Sequence, residues 1–254
     1  GTAFTTIGSS GVVFAHSSQM TIDPKGRVHT CCCAVPGAWH VMGVTQGAGL
    51  SLKWFKDQFC QDYVAEAEKE GVDVYDLINR DIESIPAGSD RLIYLPYLMG
   101  ERTPHLDPDC RGVFFGLSAI HTKAHLLRAV MEGVSYSLSD CNDILQEMGV
   151  EVEEMMACGG GGKSPIWRQM LASLYDCQVK TVHQSEGPAL GVAILAGVGC
   201  GIFESVEKAC EALISVNKRS TPVEQEVKTY QAYHQLYKKL YVNLKDSYKE
   251  LAAL

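Results

Sequence analysis

Residues 155–175 read Met155-Met-Ala-Cys-Gly-Gly-Gly-Gly-Lys-Ser-Pro-Ile-Trp-Arg-Gln-Met-Leu-Ala-Ser-Leu-Tyr175. A short apolar run, a glycine run and a segment with helical spacing predict strand, tight loop and helix in succession. Four consecutive glycines, Gly159 to Gly162, cost backbone entropy, so either the chain follows an unusual path there or a ligand comes close. A helix starting near Ser164 would aim its positive end and its unpaired N–H groups back at that loop. Gly162, Lys163 and Ser164 match the end of the P-loop pattern G-x-x-x-x-G-K-[ST], but Ala157 occupies the position of its first glycine. The run also follows a long helix instead of opening a domain. Both points disfavour a P-loop, and the flanking strand and helix leave little room for a plain linker.

Reading outward, residues 2–7 and 11–16 are β-runs joined by the small turn Gly8-Ser9-Ser10, and 28–33 and 39–44 are two more, with turns at Pro24-Lys25-Gly26 and Pro36-Gly37. This is a β-meander. Residues 47–62 look helical, 63–80 read as two short helices broken near Gly71, and Leu92 to Leu95 is a short strand. Residues 98–111 form a polar, proline-bearing loop of the kind that is often functional. The clearest helix spans 122–148, with Leu127, Val130, Met131, Val134, Leu138, Cys141, Leu145 and Met148 at helical spacing. After the glycine run come a strand at Val179 to Val182, a small-residue helix from Gly187 to Gly199 and a helix at 204–214. The last helix opens on what reads as a capping box, Thr221-Pro222-Val223-Glu224, and carries an apolar stripe from Tyr230 to Leu251 suited to packing. Strands first, then alternating strand and helix, predict an α/β fold with a mixed β-sheet and helices on both faces.

A net charge of −8 argues against binding nucleic acid, and no apolar run is long enough to span a membrane. The ten cysteines form no C-x-x-C pair, which argues against zinc and for buried, reduced thiols in a cytoplasmic protein. No nucleophile–base pattern stands out. The chain opens directly inside a strand, which implies a segment upstream of Gly1.

Three constellations remain for ligand contact. Gly8-Ser9-Ser10 offers small residues and hydroxyls that suit phosphate oxygens, and equally suits an ordinary hairpin turn. The glycine run is the second. Glu186-Gly187-Pro188-Ala189-Leu190-Gly191 is the third, and it equally suits close helix packing.

Taken together these pieces resemble the FGGY carbohydrate kinase family. The most specific match is Gly112-Val-Phe-Phe-Gly116-Leu117, then seven residues, then His125-Leu-Leu-Arg-Ala-Val-Met-Glu132, which fits that family's second signature pattern. Gly100-Glu101-Arg102-Thr103-Pro104-His105 and Gly159 to Gln169 look most like its xylulokinase branch, with Gly162 where many relatives carry alanine. The resemblance implies an actin-like ATPase (ribonuclease H-like) fold, with residues 1–254 as the C-terminal, nucleotide-binding domain and a sugar-binding N-terminal domain outside this sequence. It implies ATP and Mg²⁺ as ligands, a sugar as the other substrate and the N-terminal domain as partner, and it is compatible with a homodimer. By family position Gly8 and Ser9, with Ser10, would meet the terminal phosphates. Gly49 would lie near the inner phosphates or ribose, and Gly160, Gly161 and Ser164 would meet the adenosine. The family's catalytic base, an Asp, would lie upstream of Gly1. Arg102 and Asp107 are placed to reach the cleft, with roles left open. A glycerol, gluconate or ribulose kinase of the same family and a non-enzymatic actin-like ATPase module are the alternatives.

Overall fold

The computed structural model describes residues 2–183 and 187–254. Strands β1 (Thr2–Ile7), β2 (Gly11–Ser17), β3 (His29–Cys32) and β4 (Trp39–Thr45) form the meander, followed by helices α1 (Gly49–Phe59), α2 (Gln61–Glu70) and α3 (Val74–Ile82). A separate two-stranded sheet, β5 (Ile93–Leu95) and β6 (Val113–Phe115), precedes the long helix α4 (Lys123–Glu147). Then come β7 (Glu154–Cys158), α5 (Pro165–Tyr175), β8 (Gln178–Val182), α6 (Gly187–Gly199), α7 (Val206–Leu213), β9 (Val216–Ser220) and α8 (Glu224–Ala252).

The main sheet has the order β3-β4-β2-β1-β7-β8-β9. β1, β7 and β8 run parallel and the other pairs antiparallel, so the sheet is mixed. Strand periodicity sorts its side chains. Ala3, Thr5, Ile7, Val13, Ala15 and Val41 are buried beneath the helical layer. Phe4, Phe14 and His40 point the other way and stack along the opposite face, with ring centroids 4.6 and 4.5 Å apart.

α4 is the centre of the molecule. Every residue from Leu127 to Asn142 is buried, as expected of a helix surrounded by other elements. It lies against β2 and β4 on one side and α1, α3, α5 and α8 on the others. It also lies against β5, and Gly133 allows that approach: a Cβ there would sit 2.2 Å from the Tyr94 carbonyl oxygen. The start of α4 is fixed by a reciprocal cap between Thr122 and His125, and His125 Nε2 also reaches Asp90 Oδ2 at 3.1 Å. Four residues further on, Arg128 Nε donates to Glu132 Oε1 at 2.9 Å. Glu132 further accepts from the Gly88 amide, the Ser89 hydroxyl and Tyr230 of α8. The segment that carries the family resemblance is therefore largely a structural clasp.

Several details depart from the sequence-based expectation. β6 and β9 were not foreseen as strands. The capping box at Thr221 does not form: α8 starts one residue after Val223, whose amide donates to Ser173 Oγ on α5 at 3.2 Å, so a neighbouring helix supplies the cap. Leu251, assigned to the packing stripe, is exposed, whereas Tyr230, Tyr237, Leu240, Tyr241 and Tyr248 are buried. All ten cysteines are free thiols, but Cys31, Cys32 and Cys200 are exposed rather than buried, the first two because β3 is an edge strand. Of the third constellation, Glu186 lies outside the described residues. Gly187 to Gly199 is a helix, largely exposed, with Ile194 and Gly197 buried.

Candidate functional site

The parallel pairing of β1 with β7 sets the geometry of the site. Thr6 stands opposite Cys158, so the turn after β1 and the glycine run after β7 leave the sheet side by side. Gly159 takes φ +76°, and a Cβ there would lie 2.7 Å from the Ile7 carbonyl oxygen. The turn is closed by the Gly8 amide donating to Ser10 O at 3.0 Å. Its carbonyls then receive the first amides of α1: Gly49 N donates to Gly8 O at 2.7 Å and Leu50 N to Ser9 O at 3.1 Å. Gly49 is required for this contact, since a Cβ would sit 2.5 Å from Gly8 O.

A cavity of about 500 Å³ opens where these segments meet. Gly8, Ser9, Gly49, Gly160, Gly161 and Ser164 all line it. Of the residues singled out from the sequence, Ser10 lies apart from this wall. The cavity also takes in Leu50, Lys53, Tyr75, Asp76, Asn79, Met131, Lys163 and Trp167. Lys53 was legible in principle, one helical turn beyond Gly49 on α1; its ammonium pairs with Asp57. Asn79 and Tyr75 come from α3 and carry no local signal of a site.

The Ser164 hydroxyl is engaged. It accepts from the Trp167 amide at 3.2 Å as the N-cap of α5 and donates to Asn79 Oδ1 at 2.8 Å. The Lys163 and Ser164 amides go to Gly160 O and Gly161 O at 3.1 Å, and Pro165 has no N–H. The start of α5 thus offers fewer free donors than its sequence suggested, because the glycine turn consumes them internally. Open space is instead found at Gly160, where a Cβ would meet nothing within 4 Å.

The 98–111 loop is built differently from a mobile active-site loop. Glu101 N donates to Asp107 O and Asp107 N to Glu101 O, both at 2.9 Å. The Glu101 carboxylate is buried and accepts from Thr45 Oγ1 and from the Gln46 and Arg102 amides. Burial raises its pKa to about 7, against these donors, which favour the charged form. Asp107 is buried too, accepting from Tyr241 at 2.8 Å and from the Asp109 amide at 2.9 Å, so it fixes the loop to α8. Arg102 points outward beside His29. Among the described residues, no helix is long and apolar enough to cross a membrane.

The chain is 37% identical over 246 residues to the xylulose kinase of Bacillus subtilis (strain 168), covering 97% of this chain and 47% of that protein. It is 34% identical over 248 residues to the gluconokinase of the same organism, covering 97% of this chain and 48% of the relative. The solved ligand-bound xylulose kinase from Lactobacillus acidophilus superposes with a TM-score of 0.87 at 27% identity, over 98% of this chain and 49% of that one. The chain thus spans about half the length of the relatives it matches. FGGY kinases have the actin-like ATPase fold, and the mixed sheet and helical layers described above are that fold. The model of the FGGY family of carbohydrate kinases, C-terminal domain, matches residues 3–200, and the chain belongs to this family.

Proposed function

We propose that the chain is the nucleotide-binding half of an ATP-dependent sugar kinase that phosphorylates D-xylulose to D-xylulose 5-phosphate. One observation carries the nucleotide assignment. Six small or hydroxyl residues from three separate segments converge on one cavity, and Gly160 leaves open space where a planar base needs it. In this reading Gly8 and Ser9 face the terminal phosphates. The Ser9 side chain is exposed and donates toward charge that develops during transfer. Gly49 and Lys53 flank the inner phosphates or ribose, and Gly160, Gly161 and the Ser164–Asn79 pair border the adenosine. Mg²⁺ bound with the nucleotide would supply neutralisation of phosphate charge next to the Gly8–Ser9 turn. The base that takes the proton of the sugar hydroxyl, and most sugar contacts, belong to an N-terminal domain outside these residues. A cytoplasmic role in xylose use fits this reading.

A gluconokinase is the second reading, since 34% identity to that relative stands close to 37% for the xylulose kinase. The full-length protein assayed with ATP and Mg²⁺ against D-xylulose, gluconate, glycerol and ribulose separates them. kcat/KM highest for D-xylulose is expected. A preference for another of the four replaces the sugar assignment, and transfer to none of them overturns the kinase reading.

A further inference from the structure

Away from the nucleotide cavity, two polar pairs meet where α4 packs on α8. Asp140 and Asp143 stand one turn apart on α4, and His234 and Lys238 one turn apart on α8, so each pair shares a helix face. The Asp140 and His234 side chains are buried, while Asp143 and Lys238 sit at the opening, 34% and 38% exposed. His234 Nε2 lies 2.8 Å from Asp140 Oδ1, a separation that requires a proton between them. Lys238 Nζ pairs with Asp143 Oδ2 and stands 3.9 Å from Asp140 Oδ1. One possible ligand atom from each of Asp140, Asp143 and His234 falls within 4.8 Å of the other two. Asp140 Oδ2 adds a separate observation. It is enclosed by the protein, on a residue 4% exposed, and has no hydrogen-bond partner among the described residues. A buried carboxylate oxygen left unanswered is costly.

We propose that Asp140, Asp143 and His234 bind one divalent transition-metal ion of the zinc class, with Lys238 displaced to solvent. The donor set suits it: one imidazole nitrogen and two carboxylates, with a fourth position on the open Asp143 side for water. An imidazole ligand favours zinc over Mg²⁺ and Ca²⁺, which prefer oxygen alone. The rearrangement is small. Ligands about 2.0–2.2 Å from a tetrahedral zinc stand roughly 3.3 Å apart, so the His234–Asp140 contact opens slightly as the metal replaces the shared proton. Lys238 is the movable member, with a flexible stem and a part-exposed head. The cysteine spacing that argues against a thiolate zinc site does not bear on this one, which uses no sulfur. None of the three ligands lines the nucleotide cavity. A metal here would tie α8 to α4 and stabilise the fold by binding only the folded chain.

The test uses the full-length protein, stripped with a chelator and kept in excess Mg²⁺. It is titrated calorimetrically with Zn²⁺, and in parallel with Co²⁺ followed by visible absorption. A Zn²⁺ site with a rise in Tm is expected, and Co²⁺ bands of a four-coordinate centre. Asp143→Asn removes a ligand and Lys238→Gln removes the competing cation, and both break the same part-exposed ion pair. Neither residue is buried, so both variants are expected to fold. Asp143→Asn is expected to weaken Zn²⁺ binding by at least about tenfold. Lys238→Gln is expected to tighten it roughly threefold, the worth of an exposed ion pair. A pair with only a structural role would move both variants in the same direction. Absence of Zn²⁺ binding, binding that Asp143→Asn leaves unchanged, or binding that Lys238→Gln does not tighten overturns the proposal.

Discussion

Neighbouring glycines in the same run have opposite reasons to be glycine. Gly160 has ordinary right-handed backbone angles, φ −60° and ψ −45°, and open space where a side chain would go. Gly161 has no such space: its Cβ would lie 2.5 Å from Ile7 Cγ2, in the core. Gly160→Val in the full-length protein is therefore expected to keep its Tm within a degree or two and to lose at least about tenfold in ADP affinity, roughly 1.4 kcal/mol. Gly161→Val is expected to lose stability first, by about 1–3 kcal/mol from overpacking against Ile7. Calorimetric titration and thermal melts of both variants check this; unchanged ADP affinity in Gly160→Val moves the base-binding surface elsewhere. The glycine run itself was legible, since four such residues between strand and helix need a reason. The distinction between these two was not, because it depends on Ile7, more than 150 positions away in the chain.

Among the elements, α4 is buried along most of its length, and its Arg128–Glu132 pair ties it to the 88–91 turn and to α8. Glu132 is 1% exposed, and burial raises its pKa while Arg128 and the Ser89 and Gly88 donors oppose that rise. Removing one partner of such a buried pair leaves the other charge uncompensated. Glu132→Ala is expected to cost about 3–5 kcal/mol by denaturant unfolding, whereas Glu224→Ala, in an exposed pair with Lys228, is expected to cost under about 1 kcal/mol. Equal effects would mean that the clasp contributes no more than a surface pair. The elements with strong internal pattern were readable from the sequence: the meander by alternation, α4 by its spacing, α5 by Ser164-Pro165 at its start. β9 was not, since Val-Asn-Lys-Arg-Ser shows no buried face and is a strand only because β8 offers its edge. The start of α8 was misread for a related reason. Thr221 and Glu224 fit a local capping rule, but Ser173 of α5 takes the Val223 amide instead, and Glu226, not Glu224, accepts from that hydroxyl at 2.7 Å.

For the whole molecule, the cavity proposed for the nucleotide is open, and the proposed transfer draws its base from outside these residues. Of the carboxylates on its rim, Asp73 caps α3 by accepting from the Tyr75 amide at 2.9 Å, and Asp76 stands in the first turn of that helix. Glu101 and Asp107 are enclosed by their own donors. In the proposed division of labour none of these takes the proton of the sugar hydroxyl. Val192 and Leu195 on α6 are 67% and 38% exposed, an apolar surface that a larger protein has reason to cover. The 254-residue chain by itself is therefore expected to bind ADP more weakly than the full-length protein does and to transfer no phosphate to D-xylulose, while the full-length protein does so under the same conditions. Turnover by the chain alone would place the base within these residues and overturn the division of labour between the two halves. Complete loss of ADP binding would mean that the glycine turn and the Gly8–Ser9 turn do not form the cavity unaided, even though the hydrogen bonds that shape it, from Gly49 to Gly8 and from Ser164 to Asn79, all lie within this chain.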